Sequence, residues 1–169
     1  MRLGTFYYSL FLMEAIKINK ILMLYASQTG NTELMAEAMA AFLEHNKIDV
    51  TMKTFDFDPI DVEELKNYDA VLIGTHTWDD GDLPYEVEDF YEELEDVNIE
   101  NKLFGVFGSC DAFYDTYGGA IDLMGERLEE LGAKVVTPWL KVDLEPNKED
   151  IVVCEKLAAQ LILHIGEKV

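Results

Sequence analysis

Five short apolar runs, separated by stretches with helical spacing, constrain this chain more than any other feature. The runs are Lys20–Ala26, Asp49–Phe55, Asp69–Gly74, Leu103–Gly108 and Ala133–Leu140. Lys20–Ala26, Asp69–Gly74 and Leu103–Gly108 are nearly uniform in apolar character, as strands covered on both faces are. Asp49–Phe55 alternates polar with apolar residues and reads as a strand at a sheet edge. The intervening segments predict helices over Asn31–Asn46, Tyr85–Glu95 and Thr116–Leu131, a short one near Val62–Leu65, and a last one from about Asn147. In the first helix Leu34, Met35, Ala38 and Phe42 mark one apolar side. In Thr116–Leu131 the apolar positions Ile121, Met124, Leu128 and Leu131 recur at i, i+3, i+7 and i+10, and Gly132 is the natural stop. The last helix turns Ile151, Cys154, Leu157, Leu161 and Ile165 inward. Strands alternating with helices and joined by crossovers give a parallel sheet with helices on both faces.

The first strand-to-helix turn lacks the GxGxxG spacing of dinucleotide-binding folds. The other common doubly wound arrangement has strand order 2-1-3-4-5 and binds its ligand beyond the carboxyl ends of the strands, where the order reverses. The expected fold is therefore a three-layer α/β sandwich on a five-stranded parallel sheet in that order. It gathers the loops after strands one, three and four at one end.

Each of those loops carries a distinctive sequence. After strand one comes Ser27-Gln28-Thr29-Gly30-Asn31-Thr32, which opens a helix. A helix N-terminus presents unpaired N–H groups and partial positive charge, and so accepts an anion such as phosphate. No Lys or Arg lies between Lys20 and Lys47, so such a cradle would hold its anion with neutral donors. The alternative is an ordinary N-cap, for which Ser, Thr and Asn are common. After strand three, Thr75-His76-Thr77-Trp78-Asp79-Asp80-Gly81-Asp82 places a tryptophan among turn residues, its flat face available for stacking. The competing reading folds Trp78 back over its own loop. After strand four, residues Ser109 to Gly119 again mix aromatics with turn formers, and Tyr114 could cover the opposite face of a ligand. Its alternative is a tyrosine packed on the surface. A neutral phosphate cradle beside two aromatic plates suits a flat ring that carries a phosphate tail.

The chain has 169 residues, 49% of them hydrophobic, which suffices for one domain with its own core. Its formal net charge of −21 argues against nucleic acid and anionic membranes as partners and favours basic proteins. Cys110 and Cys154 form no metal-ligand pattern. They read as reduced thiols of a cytoplasmic protein, with one internal disulfide as the alternative. His45, His76 and His164 are scattered and show no metal spacing. Residues 1–18 read as a dispensable extension, leaving 19–169 as the domain. Leu3 to Met13 are apolar, but Glu14 follows directly, no small-residue cleavage site appears, and the run is far short of a membrane span. Met13 is an alternative start.

At this point the chain resembles the short-chain flavodoxins. The resemblance is carried by Ser27–Thr32, by Thr77-Trp78 continuing through Asp80-Gly81-Asp82-Leu83-Pro84-Tyr85-Glu86, by Phe107-Gly108-Ser109 through Asp111 to Tyr114, and by Gly118-Gly119-Ala120-Ile121-Asp122. It covers roughly Asn19 to Ile165, and Ala133 to Asn147 is too short for the extra loop of the long-chain class. The resemblance implies a flavodoxin-like fold, non-covalently bound FMN and low-potential transfer of single electrons. It implies that Ser27, Gln28, Thr29, Gly30, Asn31 and Thr32 hold the phosphate, and that Trp78 and Tyr114 sandwich the ring. Thr75, His76, Thr77, Asp79, Asp80, Ser109, Cys110, Asp111 and Gly118 would then bring backbone groups to the ring edges. No side chain need act as a nucleophile or general base. The eleven acidic residues between Trp78 and Asn101, with no basic one, form a solvated helix face that also suits docking of basic redox partners. A monomer is expected.

Two positions depart from the family pattern. Asp79 and Cys110 stand where glycine is usual and frequent, respectively. In the family the peptide after the tryptophan flips on reduction, and glycine makes the required positive φ cheap, whereas Asp adopts it at some cost. The expectation is a less stable one-electron-reduced flavin. Cys110 reads as a small buried residue, and His76 as a backbone-contact position with no acid–base role. Two rival functions are an FMN-dependent NAD(P)H quinone or flavin reductase, which would need a nicotinamide site not evident here, and a flavin-free receiver-type signalling module. The latter would want paired acids where strand one ends in Ala26-Ser27.

Overall fold

In a computed structural model describing residues 19–167, strand and helix alternate along the chain. The proposed extension at 1–18 and the start at Met13 lie outside the described residues. The strands are β1 (Lys20–Tyr25), β2 (Asp49–Thr54), β3 (Ala70–Gly74), β4 (Leu103–Cys110) and β5 (Lys134–Asp143). The α-helices are α1 (Asn31–His45), α2 (Tyr85–Glu93), α3 (Gly119–Glu130) and α4 (Lys148–Gly166). All five strands pair in parallel in the order β2-β1-β3-β4-β5, so the expected 2-1-3-4-5 sheet is the one that forms.

Burial explains the strand sequences. Every residue of β3 and β4 is buried, and so are Ile21 to Leu24 of β1. Successive strand side chains point to opposite faces. Ile21 and Met23 accordingly pack with Met35, Met39 and Leu43 of α1 and with Leu157 and Leu161 of α4. Leu22 and Leu24 pack with Val87 and Phe90 of α2 and with Ile121, Met124 and Leu128 of α3. Two cores thus sandwich one sheet. Each fully buried aliphatic side chain contributes about 1.5–3 kcal/mol, and truncating Leu72, at 0% exposure in the central strand, to alanine should cost about 2–5 kcal/mol. β2 lies at the edge and buries none of its residues fully, as its alternation implies.

Several boundaries move from the sequence expectation, each for a local reason. The fourth-loop helix begins at Gly119, not Thr116, because Gly118 takes a left-handed φ of 70° and Thr116 is drawn into a loop contact. α1 buries Met35, Ala36, Met39 and Leu43, and Leu34 is 43% exposed, so its inward stripe is rotated from the expected one. The short helix is a 3₁₀ turn over Val62–Asn67, capped by Asp61 Oδ1, which accepts from Glu63 N–H at 2.9 Å. α2 ends at Glu93 and passes into a 3₁₀ turn over Leu94–Asp96. β5 continues to Asp143, past a register shift between Gly105 and Phe107 of β4. Ile151 is only half-buried near the start of α4. Asn147 does start that helix, in a capping box with Asp150.

Glycines set how closely the layers meet at the site end. A Cβ on Gly108 would stand 1.8 Å from the Thr75 carbonyl oxygen, so no other residue fits where β4 meets the end of β3. Gly119 presents its α-carbon to the backbone of Gly81, where an added Cβ would lie 2.7 Å from the Gly81 Cα. This contact brings the loops after β3 and β4 together.

Candidate functional site

Beyond the carboxyl ends of β1, β3 and β4, a hollow of about 290 Å³ opens between the three loops. Ten residues singled out from the sequence line it: Gln28, Thr29, Asn31, His76, Thr77, Asp79, Ser109, Cys110, Asp111 and Tyr114. Thr116 and Leu144 line it as well. Thr116 belongs to the Ser109–Gly119 loop read from the sequence, although the helical spacing also claims it; Leu144 lies after β5, outside the three loops that the switch-point rule names, and no sequence signal marks it.

The first loop leads into α1 and leaves its N-terminus open. Gly30 adopts a φ of 89° and stands at the N-cap of α1 without a side-chain cap of its own. Ser27 Oγ instead reaches over the turn and accepts from Glu33 N–H at 3.1 Å. Ser27 is thus a cap for the third helical amide, as well as the start of the loop. The amides of Asn31 and Thr32, just before it in the first turn, have no intrahelical partner. Gln28 and Thr29 are exposed beside them. Thr32 is 1% exposed, and its Oγ1 accepts from Ser109 N–H at 3.2 Å, which ties the first loop to the third.

The second loop is held by its own backbone. Trp78 pairs with Asp82 in an antiparallel bridge, with Trp78 N–H donating to Asp82 O and Asp82 N–H to Trp78 O, each at 2.9 Å. Asp79 sits at the tip of this turn with φ 44°, the left-handed region that glycine adopts freely. Thr75 is 1% exposed and donates its hydroxyl to the His76 carbonyl at 2.9 Å, while its amide bonds to Phe107 O. It shapes the loop from beneath. Thr77 is different. Its Oγ1 is buried and has no hydrogen-bond partner, although the residue lines the hollow. An unpaired buried hydroxyl costs about 1–3 kcal/mol, so this atom is suited to a polar ligand group.

Trp78 is 36% exposed and does not line the main hollow. It lines an adjacent one of about 250 Å³ with Gln28, Asp56, His76, Tyr85 and Glu86. Gln28 and His76 border both and so form the partition between the two, with Trp78 on the side of the smaller one. Tyr114, 50% exposed, borders the main hollow from the third loop. Ser27, Gly30, Thr32, Thr75, Asp80 and Gly118 line neither hollow. His76 Nδ1 lies 3.4 Å from Ala26 O, and Nε2 faces Glu86 Oε1 at 3.9 Å, beyond hydrogen-bond distance.

The third loop is anchored from several directions. Ser109 Oγ donates to Leu144 O at 2.8 Å. Ala112 N–H donates to Asp143 Oδ1 at 2.9 Å, and Phe113 N–H to Asp111 Oδ1 at 2.9 Å. Thr116 Oγ1 donates to Asp80 Oδ1 at 3.2 Å. Cys110 is 5% exposed, and burial pushes its thiol up to about 12. Both cysteines are free. Lys141 runs under the loop and pairs with Asp122 at 2.7 Å, so its charge is already matched. Among the described residues no cluster of His, Cys, Asp and Glu could hold a metal ion, and no helix is long and apolar enough to cross a membrane.

The fold agrees with the comparisons to known proteins. The flavodoxin family model matches residues 23–156, and the chain belongs to the flavodoxin family. It is 39% identical over 140 residues to probable flavodoxin 1 of Bacillus subtilis, covering 82% of this chain and 87% of the relative. It is 38% identical over 139 residues to a flavodoxin of Maridesulfovibrio salexigens, covering 80% and 93%. The crystal structure of oxidised flavodoxin 1 from Bacillus cereus superposes with a TM-score of 0.82 at 38% identity, covering 86% of this chain and 99% of that one. Membership implies a flavin cofactor and a role in electron transfer.

Proposed function

We propose that the chain is a low-potential one-electron carrier that uses non-covalently bound FMN. The observation that carries this reading is the hollow itself, where the open N-terminus of α1, the unpaired Thr77 hydroxyl and Tyr114 border one space. The residues suit the cofactor. The amides and side chains of Ser27 to Thr32 would hold the phosphate, chiefly through the exposed Gln28 and Thr29 and the first-turn N–H groups. Ser27 and Thr32 would do so while also holding the loop in shape. Trp78 and Tyr114 would flank the ring, and backbone groups of Thr75–Asp80 and Ser109–Gly118 would meet its edges. Bound FMN supplies the redox centre, taking up and releasing electrons singly.

The surroundings favour a low potential. Among the described residues no lysine or arginine lines either hollow, and carboxylates of Asp79 and Asp111 line the larger one. An added negative charge is destabilised where no cation faces it. For one electron, each 60 mV of lowered potential corresponds to about 1.4 kcal/mol of such destabilisation. The acidic surface would steer basic redox proteins, its reductases and acceptor enzymes, in a salt-sensitive way. We place the carrier in the cytoplasm, as a monomer, with no nucleic-acid or membrane partner.

The test is to purify the chain, record its visible spectrum and follow a reductive titration. An FMN spectrum with two separable one-electron steps is expected, and Trp78→Ala and Tyr114→Ala should weaken FMN binding and shift the couple. A colourless protein that takes up no FMN would overturn the reading. Consumption of NADPH with a quinone, with no reductase added, would replace it with a reductase function.

A further inference from the structure

We propose that the smaller hollow is an arginine subsite. In it the guanidinium of a basic redox partner would lie against Trp78 and Tyr85 and pair with Asp56 and Glu86. The inference rests on the carrier reading for the nature of the partner, but its chemistry comes from the hollow alone. The space is about 250 Å³ and is walled by two aromatic residues, two carboxylates, Gln28 and His76. Among the described residues neither carboxylate is paired with a lysine or arginine. Asp56 Oδ2 accepts only from neutral donors, Ser27 N–H at 3.5 Å and Thr54 Oγ1 at 2.9 Å. Glu86 has His76 Nε2 at 3.9 Å, too far for a hydrogen bond.

The aromatic walls are open to solvent. Tyr85 is 75% exposed and Trp78 36% exposed, and Phe57, next to Asp56 in the chain, is 89% exposed. Exposed aromatic faces flanked by these carboxylates suit a planar cation better than a compact one. Guanidinium stacks on rings and donates in pairs to carboxylates, whereas an ammonium is more strongly hydrated and acts as a point charge. The wider field supports a protein-borne arginine, since a net charge of −21 draws basic surfaces in and the hollow would fix where one of them stops. Gln28 and His76 stand between this hollow and the larger one. An arginine seated here would lie against Trp78, the residue proposed to flank the flavin, and so set a partner's orientation close to it.

The test uses the FMN-loaded full chain, labelled with nitrogen-15 and titrated with N-acetyl-arginine methylamide. N-acetyl-citrulline methylamide, its neutral isostere, and N-acetyl-lysine methylamide serve as comparison probes. The arginine probe should shift the Trp78 indole N–H and the Tyr85 and Glu86 amides, with about tenfold higher affinity than the citrulline probe. It should also bind several-fold more tightly than the lysine probe. The double variant Asp56→Asn/Glu86→Gln should lose about tenfold in arginine affinity while its bound-FMN spectrum stays unchanged. Equal binding of citrulline or lysine, or shifts spread along Glu88 to Asp96 in place of the hollow, would overturn the subsite. If the chain takes up no FMN, the carrier reading fails. The same titration on the flavin-free chain then decides the subsite by the same criteria.

Discussion

Thr116 Oγ1 donates to Asp80 Oδ1 across 3.2 Å, although the two residues lie on loops that leave different strands. Beside this bond, a Cβ on Gly81 would come within 2.7 Å of Thr116 Cγ2, and Gly119 meets the Gly81 backbone. One side chain therefore latches the loop that carries Trp78 to the loop that carries Tyr114. Thr116→Val keeps the packing methyl and removes the bond. The bond is exposed, so its loss should cost at most about 1 kcal/mol. FMN should then dissociate a few-fold faster, with faster amide exchange in residues 78–82. Stopped-flow release of FMN and hydrogen exchange would read both, and unchanged values would show that glycine packing alone sets the two loops.

Thr29 is exposed in the cradle and lines the main hollow. Thr29→Ala should weaken FMN by about tenfold, the worth of a charge-assisted hydrogen bond. Riboflavin, which lacks the phosphate, should be nearly unaffected. Fluorescence titration of the flavin-free protein with each flavin checks this. Equal losses for the two would remove the phosphate from Ser27–Thr32.

Asp79 holds φ at 44° at the tip of the Trp78 turn. An L-residue pays about 1 kcal/mol for this region and glycine pays little. Asp79→Gly frees the peptide to rotate and also removes a carboxylate from the hollow. The expected outcome is a higher yield of the one-electron-reduced form and an upward shift of the potential. Stepwise reductive titration of both proteins measures the two, and equal yields would show that this backbone is not what limits that form.

Burial raises the Cys110 thiol from the ordinary 9.0 to about 12 and Cys154 to about 11. Tyr25 is also raised to about 12, by burial first and then by Glu33. These groups stay neutral in the folded chain but ionise more readily once it unfolds. Their contribution is complete below pH 9 and is lost as pH climbs toward 12. Thermal stability should therefore be flat from pH 7 to 9 and fall above it, with a shallower fall in Cys110→Ala. At pH 8 both thiols should resist iodoacetamide in the folded protein and react once it is denatured.

Much of this architecture was legible in the sequence because its signals are long and redundant. The three central strands are apolar from end to end since helices cover both faces, and Gly132 and Asn147 mark helix ends by local chemistry. What failed was local detail that depends on tertiary contact. The helical spacing of Ile121 to Leu131 is real, but nothing in it shows that Thr116 is held by Asp80, so the helix was started too early. α1 is rich in alanine and methionine on several sides, and only packing against β1 and α4 selects Met35, Met39 and Leu43 over Leu34. The site residues divide in the same way. Loop composition located Gln28, Thr29, Thr77 and Tyr114, while Thr32 and Thr75 proved to be struts beneath the loops. Leu144 reaches the hollow through a β5 extension that follows a register shift, and a shift of that kind leaves no periodic trace.

The buried bond from Ser109 N–H to Thr32 Oγ1 joins residues 77 positions apart. The β1–β3 and β3–β4 pairings bring the two loops side by side, so the bond spans the sheet. The cradle is thus complete only when both loops are in place. A chain still assembling its sheet has no finished place for a ligand, and any ligand of the cradle selects completed molecules over partial ones. Uptake of the cofactor would then serve as a check that the central strands have closed in the right order.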